Sequence, residues 1–120
     1  MFQETTLQDW LTLSGPDTSD TVTQDYDLWT DTEGYDASKL HTILTQGTNV
    51  SLAIETAVSP EGPWTSLYTI TTASDTYDEV ECDTNAQYRL DRYLRWTLTS
   101  SGASWKACFM IAGVFEKSGN

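Results

Sequence analysis

The stretch Val50-Ser51-Leu52-Ala53-Ile54-Glu55-Thr56 precedes a turn-forming run, Ser59-Pro60-Glu61-Gly62. Its even-numbered residues are apolar or β-branched, and in an extended chain they share one face because successive side chains point to opposite sides. Pro60 favours the second position of a turn, and Gly62 can adopt a positive φ that other residues resist. Beyond the turn, alternate residues from Trp64 to Ile70 again share one face. The sequence therefore predicts a β-hairpin.

The composition extends this prediction to the whole chain. Twenty threonines, eleven serines, five tryptophans and six tyrosines favour strands, because β-branched and aromatic side chains pack well on a pleated surface. The 120 residues have the length of one domain, which buries about two-thirds of its unfolded surface. We expect a single all-β domain over 1–120, with 1–20 as its first strand or a docking arm.

Eight strand-like runs are separated by turn residues such as glycine, proline and asparagine. These runs are Thr6 to Leu13, Thr21 to Trp29, Lys39 to Gln46, Thr48 to Val58, Trp64 to Thr72, Thr76 to Cys82, Tyr93 to Thr99 and Ser104 to Phe115. About eight short strands at this spacing predict an antiparallel β-sandwich.

The last run differs from the others because both of its faces are apolar or small from Ala107 to Phe115. Such a strand is covered on both sides. Either a loop or another subunit is expected to cover its second face, and a homotrimer built through that face is one arrangement. The neighbouring run Tyr93–Thr99 alternates, with Leu94, Trp96 and Leu98 predicted to point inward.

The net charge of −12 argues against a nucleic-acid binder, whose affinity would depend on cations that neutralise phosphates. It also disfavours binding to an anionic membrane. The first part of the chain holds one cation, Lys39, whereas the last third is basic. We predict that Arg92, Arg95 and Lys106 bind a partner protein, together with an N-terminal stretch that contains Phe2, Leu7 and Trp10.

Residues that would support catalysis are sparse in this sequence. The single histidine, His41, lies in a strand-like run without a nucleophile or metal-ligand pattern around it, and no phosphate-binding glycine loop is present. The acidic segment Asp25–Asp36 does not fit a helix-loop-helix calcium motif, because placing Gly34 at the sixth position puts Trp29 at the first. We expect a non-enzymatic protein without cofactor or metal; a Ca²⁺ ion bound simply by this acidic loop is the alternative. No run is long enough to span a membrane, and we expect no signal peptide.

Two further features concern strand edges and thiols. Glu79, Glu81 and Asp83 share one face of a strand, where aligned like charges discourage pairing with another sheet, so they predict an edge strand. Cys82 and Cys108 are too few to form a disulfide framework, and we expect two buried, unbridged thiols.

The aromatic residues allow an alternative function. Trp29, Tyr35 and Trp64 could stack on sugars as in a carbohydrate-binding module, although most large rings in a small sandwich belong to the core or its rim. Saturable binding of oligosaccharides would distinguish a sugar-binding module from a protein-binding one.

Two segments carry a family likeness. The run Ser59-Pro60-Glu61-Gly62 with Trp64 and Leu67 resembles the "Ser-x-Asp-Gly-x-x-Trp-x-x-Leu" pattern of galactose-binding-like and discoidin-like jelly rolls. Arg92-Tyr93-Leu94-Arg95-Trp96 resembles their "Arg-Tyr-hydrophobic-Arg" strand. The resemblance implies a jelly-roll-like sandwich.

An acidic, threonine-rich sandwich of this size also resembles the small virion proteins of tailed bacteriophages and gene transfer agents. That resemblance implies a protein of the virion, assembled in the host cytoplasm, that decorates or stabilises the capsid. Its partner would be the major capsid protein or another virion protein. A tail or baseplate accessory protein is the remaining alternative.

Overall fold

The structure is a computed structural model. It describes the backbone of residues 2–16, 19–35, 37–71, 74–83, 90–101 and 104–116. Within these ranges, the side chains of 2–3, 37, 45–48 and 74–83 lie outside the description.

Nine strands and one short 3-10 helix make up the described chain. The strands are β1 (Phe2–Gly15), β2 (Thr21–Thr23), β3 (Thr30–Asp31), β4 (Ala37–Thr48), β5 (Val50–Ala57), β6 (Thr65–Ile70), β7 (Ser74–Asp83), β8 (Tyr93–Ser100) and β9 (Trp105–Glu116). The 3-10 helix, η1, spans Tyr26–Leu28 between β2 and β3.

The strands form two antiparallel sheets that pack face to face. Sheet A has the order β1-β9-β4-β7, and sheet B has the order β2-β8-β5-β6, with β3 also paired to β8. Because β2 and β3 both pair with β8, they act as one interrupted edge strand, which leaves four strands in each sheet. Consecutive strands thus cross repeatedly between the two sheets, as in an eight-stranded jelly roll. The predicted all-β, jelly-roll-like sandwich is confirmed.

The core lies between the two sheets and follows the alternation of the sequence. Leu94, Trp96 and Leu98 of β8 are buried as predicted, and the rings of Trp96 and Phe109 meet edge to face with centroids 5.0 Å apart. This contact joins sheet B to sheet A. The largest side chains with less than 2% exposure are Phe109, Leu40, Leu44, Leu52, Ile54, Leu94, Leu98, Ile111 and Thr42.

The predicted hairpin is formed by β5 and β6. In its turn, the backbone N–H of Gly62 donates to the carbonyl of Ser59 over 3.0 Å, and Gly62 has a φ of 87°. The predicted alternation beyond the turn is wrong, because the pairing shifts between Ile54 and Glu55 and this bulge places Leu67 in the core. Trp64 precedes β6 and lies outside the core.

Residues Thr21–Trp29, predicted as one strand, form β2 and η1 instead. The side chain of Gln24 turns inward, where its Nε2 donates to the carbonyl of Leu7 over 2.8 Å, and the chain leaves the sheet at this point. The N–H of Leu28 then donates to the carbonyl of Asp25 over 2.9 Å to close the short helix. An edge strand can break in this way because only one side of it is paired.

The outer face of β9 carries Cys108, Met110, Ala112 and Val114, all of them half-buried. This face is therefore only partly covered, and the strand is not shielded on both sides to the extent that the sequence suggests. β7, which carries the predicted acidic face, is an edge strand of sheet A as expected; its side chains lie outside the description.

The strand register places the two cysteines far apart. Cys82 pairs with Ser38 and Cys108 pairs with Gln46, both on β4. At about 3.3 Å per residue these positions are ~26 Å apart, whereas a disulfide requires Cα atoms within about 7 Å. Cys108 is a half-buried thiol outside any disulfide.

Candidate partner-binding surface

Aromatic rings and one arginine gather on the outer face of sheet B. The rings of Trp29 and Trp64 meet edge to face with centroids 4.8 Å apart, and Tyr26 lies 4.7 Å from Trp29. The guanidinium carbon of Arg95 lies 3.9 Å from the centroid of Trp64 and 5.1 Å from that of Trp29. We call Tyr26, Trp29, Trp64 and Arg95 the aromatic–arginine cluster.

Arg95 is held in place by a carboxylate on the neighbouring strand. Glu55 and Arg95 pair directly across β5 and β8, and Nε of Arg95 donates to Oε1 of Glu55 over 2.9 Å. The hydroxyl of Thr97 donates to the same oxygen over 2.8 Å. Both charged side chains are only about one-fifth exposed, at 19% and 20%. The charge-assisted bond therefore lies in a partly dry environment, where it is stronger than on an open surface.

The tryptophans are positioned by the two irregular segments beside the sheet. A Cβ added to Gly62 would lie 3.0 Å from Cδ1 of Trp64, so the glycine turn packs closely against the indole. Nε1 of Trp29 donates to the carbonyl of Gln24 over 2.8 Å. Because Gln24 is itself buried and bonded to Leu7 and Trp96, the position of Trp29 is coupled to the core.

The geometry of the cluster suits contact with a protein better than contact with a sugar. Sugars stack on exposed flat ring faces, whereas the two indoles lie at 71° to each other and Arg95 occupies a face of Trp64. Tryptophan, tyrosine and arginine are the residues that most often dominate protein–protein binding energy. Tyr26 adds a ring that is 65% exposed.

The three residues predicted to bind sugar are divided between two places. Trp29 and Trp64 meet in the cluster, but Tyr35 packs against Phe115 at the core, with ring centroids 5.9 Å apart. Tyr35 therefore does not extend the surface formed by the tryptophans.

The six residues predicted to bind a partner are also dispersed. Leu7 is 6% exposed and belongs to the core, because it shares the inward face of β1 with Leu11 and Leu13, so its side chain does not lie on the surface where it was predicted to bind a partner. Trp10 is 51% exposed on β1, and Lys106 is exposed on β9. The side chain of Phe2 lies outside the description. Arg95 joins the cluster, and Arg92 lies three residues before it, immediately ahead of β8.

Arg92 forms an exposed ion-pair group with two acids. Its Nε and Nη2 donate to Oδ1 and Oδ2 of Asp31 over 3.1 and 3.0 Å, and Nη2 lies 2.8 Å from Oε2 of Glu33. The hydrogen bonds from Arg92, followed by the one from the N–H of Glu33, hold the pKa of Asp31 below its usual value. Arg92 is thus engaged within the chain.

The hydrogen bonds between Arg92 and Asp31 predict how the ionisation of Asp31 affects stability. Because its pKa is lowered in the folded state, the contribution of Asp31 to stability is present at neutral pH and is lost as the pH falls through the folded pKa. Substituting Arg92→Ala is expected to raise the pKa of Asp31 toward its usual value. Carboxyl-carbon NMR titration measures this change, and Arg95→Ala, which leaves the Arg92 pair intact, is the control. An unchanged midpoint in Arg92→Ala would contradict this cause.

Sequence reasoning missed Tyr26 and Glu55 as members of this surface. Glu55 could have been identified, since it is the acidic residue on the outward face of β5 and Arg95 is the basic residue on that of β8. Tyr26 carried no such signal, because the sequence predicted a strand where η1 forms.

The remaining candidates for chemistry do not assemble into a site in the described part of the chain. His41 is half-buried on the outer face of sheet A, where it pairs with Ala112. Among the residues with described positions, no group of three or more histidine, cysteine, aspartate or glutamate side chains could hold a metal ion. No helix in the described ranges is long and apolar enough to cross a membrane.

Comparisons with known proteins concern the fold. No family model matches the sequence, and a search of curated proteins gives no significant match. A chain of the infectious bursal disease virus Gx strain aligns with all of this chain at a TM-score of 0.56 and 12% identity. VP2 of the infectious bursal disease virus subviral particle aligns over the same 100% at 0.56 and 14% identity.

This chain covers 32% and 33% of those two viral chains, and so spans about a third of their length. A chain of the Bacillus endospore appendages, a family of disulfide-linked pili, aligns with 97% of this chain and 92% of its own length at a TM-score of 0.46 and 17% identity.

Proposed function

We propose that this protein is a non-enzymatic structural component of a virion, which binds the coat-protein lattice of a bacteriophage capsid and stabilises it across neighbouring subunits. The observation that carries the proposal is the aromatic–arginine cluster on an outer sheet face of a jelly roll. The likeness of the whole chain to VP2 of a subviral particle supports a place in a viral shell. A fold alone does not define a function, so the proposed role is inferred from the aromatic–arginine cluster.

The cluster has the properties of a binding hot spot. Its rings are held rigidly by Gln24 and by the glycine turn, so little conformational entropy is lost when a partner covers them. Arg95 is already paired with Glu55, and a partner therefore meets it without leaving a charge unpaired. Many copies that bind a repeating lattice in this way act together, so each contact can be modest.

The surface charge is consistent with a cationic or neutral partner surface. The chain has 18 acidic and 6 basic residues, so an acidic lattice would repel it. We therefore propose that the docking site on the coat protein is neutral or basic and provides an apolar contact for Trp64 and Trp29.

A carbohydrate-binding module is the second candidate, because the structure places Trp29 and Trp64 side by side. Sugar binding would require Arg95 to move away from the ring of Trp64 or the sugar to use the exposed ring of Tyr26. Titration of tryptophan fluorescence with oligosaccharides tests this alternative. Saturable quenching that is lost in Trp64→Ala would overturn capsid binding as the role of the cluster.

Co-sedimentation with capsids tests the proposal directly. Capsids assembled from the coat protein of the same genome, but lacking this chain, are mixed with the purified protein, and bound protein is quantified. We expect saturable binding in a fixed ratio to coat subunits. Trp64→Ala is expected to weaken it by roughly 30-fold or more, which is the effect of losing a hot-spot residue of about 2 kcal/mol.

Thr99→Ala is the matched control, since Thr99 is exposed on β8 and points to the same face as Arg95. It should bind like the wild type. Absence of binding to capsids, together with absence of the protein from purified particles, would overturn the proposed function. Equal binding by Trp64→Ala and wild type would overturn the cluster as the docking surface.

A further inference from the structure

We infer that the outer face of sheet A binds a second copy of this chain about a two-fold axis. This inference concerns the sheet opposite the aromatic–arginine cluster and does not depend on the proposed function. It rests on the order of side chains along the outer face of β9, on the pairing that this order permits, and on a depression beside that strand.

The outer face of β9 begins with a cation and ends with an anion. Lys106 and Glu116 are exposed, and the four outward residues between them, Cys108, Met110, Ala112 and Val114, are half-buried and uncharged. If a second β9 lies across this face in the reverse direction, each Lys106 meets a Glu116 of the other copy. The patch is therefore complementary in charge to itself.

The sizes of the central residues follow the same symmetry. A reversed copy centred on residue 111 places Met110 opposite Ala112, and it places Cys108 opposite Val114. The longest apolar side chain thus faces the smallest one. A depression lined by Thr6, His41, Ala112 and Val114 lies beside that small residue and can receive the methionine of the second copy.

The neighbouring strands are compatible with this arrangement. If the two-fold axis lies in the interface and runs perpendicular to the strands, β4 of one copy faces β4 of the other, and β1 faces β1. His41 pairs with Ala112 and Ile43 pairs with Met110, so His41 of one copy faces Ile43 of the other. Glu4 and Thr12 pair with Val114 and Cys108, so they face each other in the same way. None of these pairs brings two like charges together.

This symmetry gives a dimer rather than the trimer considered from the sequence. A two-fold interface uses one patch that matches itself, whereas a ring of three requires two different patches. The order of charges and sizes along β9 is self-complementary, so it satisfies the first condition.

The size of the face predicts a reversible dimer. From Lys106 to Glu116 the strand is about 33 Å long, and three strands at ~4.8 Å spacing make the face about 14 Å wide. The resulting area, roughly 500 Å² per copy, is below the ~800 Å² per partner of a typical stable interface. Repulsion between two chains of charge −12 is screened beyond about 8 Å at physiological ionic strength.

Sedimentation velocity of the full chain over a wide concentration range tests the inference. At physiological ionic strength we expect a reversible monomer–dimer equilibrium. Lys106→Glu and Glu116→Lys should each weaken the dimer by about tenfold, because each replaces two attractive contacts with repulsive ones. The double variant, Lys106→Glu with Glu116→Lys, should restore the affinity, since the reversed charges again face each other.

Ala112→Glu gives a second, independent readout, since it places a charge opposite Met110 and should abolish the dimer. Circular dichroism confirms that each variant is folded. Lys39→Glu, a charge reversal on β4 outside the two proposed ion pairs, is the matched control and should weaken the dimer by less than either single variant. A monomer at every concentration, a trimer, or a double variant that remains as weak as the single ones would overturn the inference.

Discussion

Replacing Phe109 with alanine is expected to lower the free energy of unfolding by about 3–5 kcal/mol, the cost of removing a large ring from a packed core. Phe109 has no exposed surface, and its ring meets Trp96 edge to face at 5.0 Å. It lies on β9 between Leu11 of β1 and Leu44 of β4, so the cavity would open at the centre of sheet A. The surrounding strands are fixed by their hydrogen bonds and can collapse only partly into it.

Urea denaturation followed by tryptophan fluorescence measures this loss, and the melting temperature should fall by roughly 10–20 °C in parallel. Thr12→Ala is the control, because Thr12 is exposed on β1 beside Cys108 and should change stability by less than about 1 kcal/mol. A loss below about 1 kcal/mol in Phe109→Ala would mean that the two sheets do not pack through this ring.

Replacing Glu55 with alanine is expected to lower the free energy of unfolding by about 2–3 kcal/mol. Oε1 of Glu55 accepts hydrogen bonds from Arg95 and Thr97, and the ion pair is only about one-fifth exposed. Loss of the carboxylate leaves the Arg95 guanidinium without its partner over the tryptophan rings. Hydrogen bonds to charged groups contribute roughly 1.5–3 kcal/mol, and a charge left unpaired in a partly buried site adds to the cost.

A double-mutant cycle with Arg95→Ala separates the pair from the rest of the site. If the two side chains stabilise each other, the double variant is less destabilised than the sum of the single variants by at least about 1 kcal/mol. Glu55→Gln is the matched substitution, since it keeps an acceptor for Thr97 while it removes the charge. Additive single effects would contradict the direct pairing of Glu55 with Arg95.

The sheets could be predicted from the sequence because burial alternates with a period of two. The alternation in β5 and in β8 gives the inward residues of sheet B correctly, and the turn Ser59–Gly62 gives the hairpin. These features depend on local sequence alone. The charge pattern of β7 likewise indicated an edge strand, which the strand order bears out.

Irregular positions could not be predicted in this way. The bulge at Leu67 adds a residue to β6 only, so it reverses the alternation that a regular strand would show. The break after β2 depends on the bond from Gln24 to the carbonyl of Leu7, a contact between distant parts of the chain.

The candidate site depends on the same kind of distant contact. Trp29, Trp64 and Arg95 come from three separate segments, and only the pairing of β8 with β5 and the two turns brings them together. From the sequence they were assigned to two different surfaces, one for sugar and one for a protein partner. In the structure Trp29, Trp64 and Arg95 are in contact. Tyr35 packs elsewhere, against Phe115.

The position of β9 has a consequence for how the chain reaches its native state. This strand lies between β1 and β4, although about 90 residues separate it from β1 along the chain. During synthesis, the edges of β1 and β4 that pair with β9 therefore remain unpaired until the ribosome has made that strand. Such distant pairing is slow to form and leaves apolar edges open to other nascent chains. A product that stops before residue 105 would lack the central strand of sheet A and should accumulate as aggregate.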